Sequence, residues 1–410
     1  MTKIVIFLFL FVAAFLAASQ SKKVVGYLPA YRFGDYNSIA YCKLTHLNIC
    51  FANPDANGNL KIGNFTTIVN KAKQQNPNII VCISLGGGTL STQQLQSWKN
   101  IVDIPANRPK FISEIVRFVE LNKLDGVDFD LEWDAVTTGY SDFVIEMKDS
   151  LQKHNKILSA ALPAIYRYPL ITNKALAVFD FINIMAYDKT VPWSPNNPGQ
   201  HSSYDFAVQA INYWKNQGIN SEKLTLGVPF YGYNFDDQSN VFGFSYASMV
   251  SKNILNADVD QVGKAYYNGR PTIERKVELT AQNASGIMIW ELAQDRFDEY
   301  SLLSVIHNKF NSLGFTTTGL CGNVVFADKI KQSQFHIYPN PANNKILIEG
   351  ISNGEIVVSV FNLTGNKMNI TQNKIFNKTE LNVSGLKDGI YILNVESNGF
   401  NQKQKLIIKH

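Results

Sequence analysis

The sequence predicts an α/β protein, a (β/α)8 TIM barrel followed by a small all-β, sandwich-like domain. Three observations carry this reading. Eight short apolar, β-branched runs recur between residues 22 and 313, and amphipathic helical patterns lie between them. After Leu313 the character changes to β-type runs broken by Asn and Gly. Strand and helix alternating eight times over about 290 residues fit a closed barrel. The other arrangement open to this pattern is a doubly wound sheet. It usually has fewer strands and a Gly-rich phosphate loop after the first, and no such loop appears.

The elements follow in order. Lys3 precedes an unbroken apolar run over residues 4–18, and Ala17 and Ser19 supply the small residues of a cleavage site before Gln20. Residues 1–19 therefore read as a signal peptide, because the run is short for a membrane anchor. No later stretch is apolar enough to span a membrane, so none is expected after signal removal. The eight strand runs are "KVVGYLPAY", "LTHLNICFA", "NIIVCISLGG", "LDGVDFDLE", "ILSAALPA", "FDFINIMAYD", "LTLGVPFYG" and "SGIMIWEL". Between them, Tyr140, Phe143, Val144, Met147 and Leu151 form one helical face. Phe206, Ala207, Ala210, Ile211 and Trp214 form another, which stops at Gly218. The expected bounds are a catalytic barrel over 20–313, a linker over 314–334 and a β-domain over 335–410. In the last, "KILIEG", "EIVVSVFN", "GIYILNVES" and "KQKLIIKH" supply the strands.

Composition narrows the function. Of 410 residues, 45% are hydrophobic and 17% charged, the make-up of a globular protein with a large core. A net charge of +5 without a Lys/Arg block is no nucleic-acid signature. Cys42, Cys50, Cys82 and Cys321 have irregular spacing that makes neither a disulfide framework nor a metal site. Cys42 and Cys50 flank a strand, which holds them too far apart to pair, and Cys50 and Cys82 read as buried free thiols. No metal or other cofactor is expected.

The chemistry is concentrated in "LDGVDFDLEWD", residues 124–134, which holds five acids. A period of two sends Asp128, Asp130 and Glu132 to one face and Val127, Phe129 and Leu131 to the other. Barrel enzymes keep their catalytic groups at the C-terminal ends of strands, where these acids fall. Three packed carboxylates cannot all ionise cheaply, so at least one keeps a proton near neutral pH, as a general acid requires. Glu132 is outermost and can reach a leaving group. Asp130 sits one step deeper, and Asp128 is deepest, sharing a proton with Asp130. Asp125 has the opposite parity and reads as structural.

"DGVDFDLE" resembles the signature of glycoside hydrolase family 18, the chitinases and their relatives. Three more motifs of that family appear in order. "SLGG" ends the third strand, "MAYD" the sixth, and "GIMIWEL" places Trp290 on the eighth. The resemblance covers roughly residues 23–310 and implies a retaining, substrate-assisted hydrolysis of N-acetylated sugars without a cofactor. By that resemblance Glu132 protonates the glycosidic oxygen and later activates water, while the substrate's own acetamide oxygen is the nucleophile. Asp130 orients the acetamide, Asp128 biases Asp130 through a shared proton, and Tyr187 hydrogen-bonds the acetamide oxygen. Trp290 offers a flat apolar surface to a sugar ring. Met185 and Asp188 accompany Tyr187, while Gly86 and Gly87 leave room around the acids. Tyr27, Phe51 and Tyr231, at inward strand ends, and Trp133, with Trp193, complete the substrate-binding candidates.

Two departures stand out. Family members often carry Arg two residues after the seventh-strand Tyr, where "FYGYNF" has Tyr233. Many relatives also insert an α+β subdomain between strands seven and eight. About fifty residues separate them here, so that subdomain is expected to be absent and the groove open.

The end of the chain, "YPNPANNKILIEG", "VFNLTG", "LKDGIYILNVES" and "KQKLIIKH", is similar to the type A sorting domains of the type IX secretion system of Bacteroidetes. That implies secretion, to the medium or the cell surface, with the export machinery as a partner. A carbohydrate-binding module would usually display exposed Trp or Tyr platforms; this segment has no Trp, and Tyr338 and Tyr391 sit inside the motif positions. The function expected is a secreted, endo-acting chitinase. The alternatives are an endo-β-N-acetylglucosaminidase acting on N-linked glycans and a chitin-binding lectin, against which the intact Glu132 argues.

Overall fold

The computed structural model describes residues 21–317, 336–349, 357–362, 366–375, 378–397 and 400–410. The expected signal peptide, most of the linker and Cys321 lie outside the described residues. The chain forms two compact units, dividing between Gly322 and Asn323.

The first unit is a closed parallel barrel. Its strands are β1 (Lys23–Pro29), β2 (His46–Pro54), β3 (Ile80–Gly86), β4 (Gly126–Asp130), β5 (Ile157–Pro163), β6 (Phe181–Met185), β7 (Leu224–Pro229) and β8 (Gly286–Trp290). β1 pairs with both β2 and β8, and that double pairing closes the ring. The helices flanking it include α1 (Thr66–Gln75), α2 (Thr92–Val102), α3 (Arg108–Leu121), α4 (Tyr140–Lys153), α5 (Asn173–Val178) and α6 (Tyr204–Asn216). The apolar stripes read on α4 and α6 are the buried faces of those helices. Side chains cap several helix starts, with Ser91 and Gln94 forming a reciprocal capping box on α2. Among the described residues no helix is long and apolar enough to cross a membrane.

Packing outside β4 fixes the strand that carries Asp128 and Asp130. Phe129, on the outward face, lies against Trp98, Tyr140 and Phe143, with ring centroids 5.3–5.8 Å apart. Deleting such a buried ring costs about 3–5 kcal/mol. Asp125 is structural: its carboxylate accepts the Val81 N–H at 2.8 Å and pairs with Lys73 at 2.9 Å. Cys42, Cys50 and Cys82 are buried free thiols. The chain beyond α9 (Leu302–Ser312) still belongs to this unit, since Thr316 bridges to Ser21 and Thr317 is buried.

The interval between β7 and β8 is not bare connector. Strands Tyr231–Asn234, Phe242–Ser245, Gln261–Val262 and Ala265–Tyr266 make a small antiparallel sheet. The helix α7 (Tyr246–Lys252) lies within it, and the crossover helix α8 (Arg270–Asn283) follows. This corrects the expectation of a missing insertion: a short one is present, and it buries Tyr231, Tyr233 and Phe235 in one cluster and Met249 and Val250 of α7 against the barrel's core.

The second unit is all-β. One sheet orders His336–Tyr338, Lys345–Glu349, Lys378–Asn382 and Thr371–Ile375; the other orders Val357–Asn362, Gly389–Ser397 and Phe400–Ile408. Ile346, Ile348 and Leu381 from the first pack in one core with Val360, Leu393, Val395 and Leu406 from the second. Strands 336–338, 371–375 and 378–382 were not among those expected.

Candidate active site

Asp128 and Asp130 lie on β4, and Glu132 follows with its backbone still extended (φ −121°, ψ 159°). The period of two therefore continues past the strand and brings the three acids to one side.

Asp128 is fully buried among donors from four other strands. Its Oδ2 accepts the Tyr27 and Ser84 hydroxyls, both at 2.7 Å. Its Oδ1 accepts the Ser159 hydroxyl at 2.6 Å and Asn183 Nδ2 at 3.1 Å. Thr225 in turn donates to Asn183 Oδ1 at 2.7 Å. Burial raises Asp128 above the usual carboxylate range, and these hydrogen bonds oppose it. Since other strands occupy both its oxygens, its link to Asp130 is electrostatic, in place of the direct proton sharing expected.

Asp130 is held differently. Its Oδ1 is buried without a hydrogen-bond partner. Burial, then the Glu132 charge, then the Asp128 charge hold it well above the usual range. Glu132 is raised to about 7, by burial first and by the Asp188 charge second. An acid that titrates near neutral pH can both donate and accept a proton there.

Two glycines make the space. Gly86 lies beside Asp130 with φ +104°, and a Cβ on it would sit 2.4 Å from the Asp130 carbonyl oxygen. Gly87 has φ +92°, and its Cβ would meet the Phe51 ring at 2.6 Å. Only a residue without a side chain suits both demands.

Around the acids the expected aromatics gather. Phe51 stacks on Trp290 with centroids 5.7 Å apart and planes 22° apart, and Tyr27 meets the same indole edge-on. Met185, Tyr187 and Trp290 are half-buried against Tyr27, Cys50 and Met288. The Tyr187 hydroxyl lies 3.8 Å from Met288 Sδ. Burial, with Asp130 the foremost of four nearby acids, keeps that phenol protonated.

Tyr231 is buried, and its hydroxyl is committed to Asp188 Oδ1 at 2.6 Å; Tyr233 donates to the same oxygen at 2.9 Å. Both sit on one face of the small antiparallel sheet, two residues apart. Trp133 is set apart. It is 63% exposed, its ring edge meets Tyr168, and its backbone N–H donates to the Tyr168 hydroxyl. Trp193 is exposed too.

Ser159, Asn183 and Thr225 were missed in the sequence. Their signal was a lone polar residue at inward parity in an apolar run, "ILSAALPA", "FINIM" and "LTLGV". Among the described residues no cluster of three or more His, Cys, Asp or Glu is arranged to hold a metal ion.

This arrangement agrees with the comparisons to known proteins. Residues 23–295 match the family Glycosyl hydrolases family 18. The chain belongs to that family. The crystal structure of the GH18 chitinase ChiB from the chitin utilization locus of Flavobacterium johnsoniae is 53% identical, with a TM-score of 0.73, over 75% of this chain and 100% of that one. A chitinase from Bacteroides thetaiotaomicron is 29% identical, with a TM-score of 0.62, over 71% and 96%. Chitinase 1 of Aphanocladium album is 28% identical over 58% of this chain and 67% of its own. The chain spans about two thirds of the length of that curated relative. Residues 336–409 of this family 18 protein match the secretion system C-terminal sorting domain, which marks it as secreted.

Proposed function

We propose that the protein is a secreted chitinase that cleaves β-1,4 linkages between N-acetylglucosamine units with retention of configuration. The observation that carries this reading is Glu132, raised to about 7 and two residues from Asp130, whose buried Oδ1 lacks a partner. Glu132 protonates the leaving oxygen. The unpartnered Asp130 oxygen is suited to accept an acetamide N–H, which presses the acetamide carbonyl oxygen toward the sugar's anomeric carbon. The Tyr187 hydroxyl is a donor for that carbonyl oxygen, and the Phe51–Trp290 stack is an apolar floor for the ring. After the leaving group departs, ionised Glu132 takes a proton from water, which opens the oxazolinium-like intermediate. Met185, Asp188, Tyr231, Trp133, Gly86 and Gly87 frame the remaining surface. The reading also assigns residues 1–19 to a signal peptide, 20–317 to the catalytic unit, 318–334 to a linker and 335–410 to sorting.

The test is time-resolved product analysis on N-acetylglucosamine tetramer and hexamer, with Glu132→Gln beside the parent. Hydrolysis by the parent, first product in the β-anomer and loss in the variant are expected. Intact oligomers with a trimmed high-mannose glycoprotein would replace the substrate by N-linked glycans. Oligomer binding without turnover would make the protein a lectin.

A further inference from the structure

Behind the acids lies a buried cluster that the hydrolytic scheme does not use. Lys276, on α8, is fully buried, and its acceptors are uncharged: the Ser202 carbonyl at 2.7 Å, Ser202 Oγ at 2.8 Å and Asn268 Oδ1 at 2.7 Å. Burial lowers it to about 7, and the Asp260 charge offsets this only in part. Asn268 Nδ2 donates to the same Ser202 carbonyl at 2.9 Å. Ser202 Oγ then donates to the Ala186 carbonyl at 2.7 Å, where the chain leaves β6.

The preceding residue completes the arrangement. His201 is fully buried, with its ring against Tyr231 and Tyr233, both centroids 5.0 Å away. Its Nδ1 lies 3.4 Å from the Asp188 N–H and its Nε2 3.2 Å from the Tyr231 carbonyl. The same Nδ1 also lies 3.4 Å from Asp188 Oδ1, so the ring faces both the backbone and the carboxylate of that residue. The Lys189 N–H donates to the His201 carbonyl at 3.0 Å. Residues 201 and 202 thus grip the backbone at 186, 188 and 189.

Asp188 needs such a grip. Its φ of +59° lies in the left-handed region, which a residue with a side chain holds only where its surroundings fix the backbone. Its carboxylate is 37% exposed and repels Glu132; the Tyr231 and Tyr233 hydroxyls hold its Oδ1, and the buried His201 ring packs against both of those side chains.

We propose that His201, Ser202 and Lys276 form a buried clamp that fixes the Asp188 carboxylate against the catalytic acid, with His201 and Lys276 as positioning residues. The clamp spans three parts of the barrel: the loop after β6, the sheet after β7 and helix α8. Asp188, Asp130, Tyr187 and Tyr168 surround Glu132. Asp188, Tyr231 and Tyr233 face His201, and Asp260 acts on Lys276. Loosening the clamp removes repulsion from Glu132, so Glu132 releases its proton at lower pH.

The proposal rests on the hydrolytic reading for its kinetic test, and a second readout stands apart from turnover. His201→Leu, Lys276→Met and the conservative His201→Gln are compared with the full-length parent. The measurements are kcat and KM on the hexamer from roughly pH 5 to 9, thermal melts, and a 13C-carboxyl NMR titration of Glu132 assigned with Glu132→Gln. In His201→Leu and Lys276→Met the alkaline limb and the Glu132 titration are expected to move down by roughly one pH unit. Loss of placement lowers kcat by roughly tenfold or more while KM stays within about twofold. His201→Gln, with an acceptor and a donor on one amide, lies nearer the parent. Folded variants whose Glu132 titrates where the parent's does would overturn the clamp. If His201→Leu fails to fold, Lys276→Met decides. A parent inactive on the oligomers defeats the hydrolytic reading alone, and the NMR titration still decides the clamp.

Discussion

Replacing Glu132 by Gln is expected to remove activity and, at alkaline pH, to stabilise the barrel. A glutamate in an unfolded chain ionises near 4.5, while Glu132 in the folded barrel ionises at about 7. Between these values the folded protein keeps a proton that the unfolded chain has released. The stability this confers is fully present below about 4.5 and is lost as pH rises through about 7. At about 1.4 kcal/mol per pH unit, the difference amounts to roughly 3 kcal/mol by pH 8. The source is burial first and the Asp188 charge second, and a glutamine side chain avoids both. For a large single domain, roughly 3 kcal/mol raises Tm by about 6 °C. Melts of parent and variant followed by circular dichroism, at matched salt from about pH 4 to 9, read this directly. The two should melt together at the acid end and separate above neutrality, with the variant higher. A gap independent of pH, or a parent more stable at pH 8, would show that Glu132 does not ionise in a buried, acid-crowded site.

Three further outcomes follow from the same geometry. Tyr27→Phe takes one donor from buried Asp128, which costs about 1.5–3 kcal/mol in chemical denaturation and lowers kcat; an unchanged midpoint would refute the role of that hydroxyl. Gly87→Ala forces the Phe51 ring off Trp290, with an overpacking cost of about 1–3 kcal/mol and a raised KM for oligomers; wild-type kinetics and stability would count against the stack as a substrate floor. Burial pushes the Cys50 and Cys82 thiols well up, so neither should react with a thiol reagent in the folded protein at pH 8, and both should react in denaturant. Fast native labelling at either position would contradict their placement.

The acids were legible because a strand's period of two is a local property. Asp128, Asp130 and Glu132 share a face whatever the rest of the chain does, and the extended backbone at Glu132 carries that rule one step past β4. The donors around Asp128 were not legible as a set. Tyr27 lies 101 residues from Asp128 and Asn183 lies 55 away, and only ring closure joins them. The sheet after β7 escaped for another reason: two of its strands have two residues each, too short to show any period. In the second unit "TQNKI" and "KTELN" are too polar to read as strands, and their pairing with Lys345–Glu349 and with one another makes them so. His201 gave no local sign, being a loop histidine thirteen residues from Asp188.

The donors to Asp128 come from β1, β3, β5 and β6, so the carboxylate is satisfied only when the ring has closed with each strand at its proper height. A slip of one residue in any of these strands would turn its donor away and leave an acid buried without its full complement of hydrogen bonds. Misassembly is therefore penalised at the centre of the molecule, where no loop can adjust to relieve it. The same side chains that prepare the site for chemistry act as a proofreading device for the topology, and strand β1, which closes the ring against β8, supplies one of the four donors. A secreted chain carries this inspection within its own core.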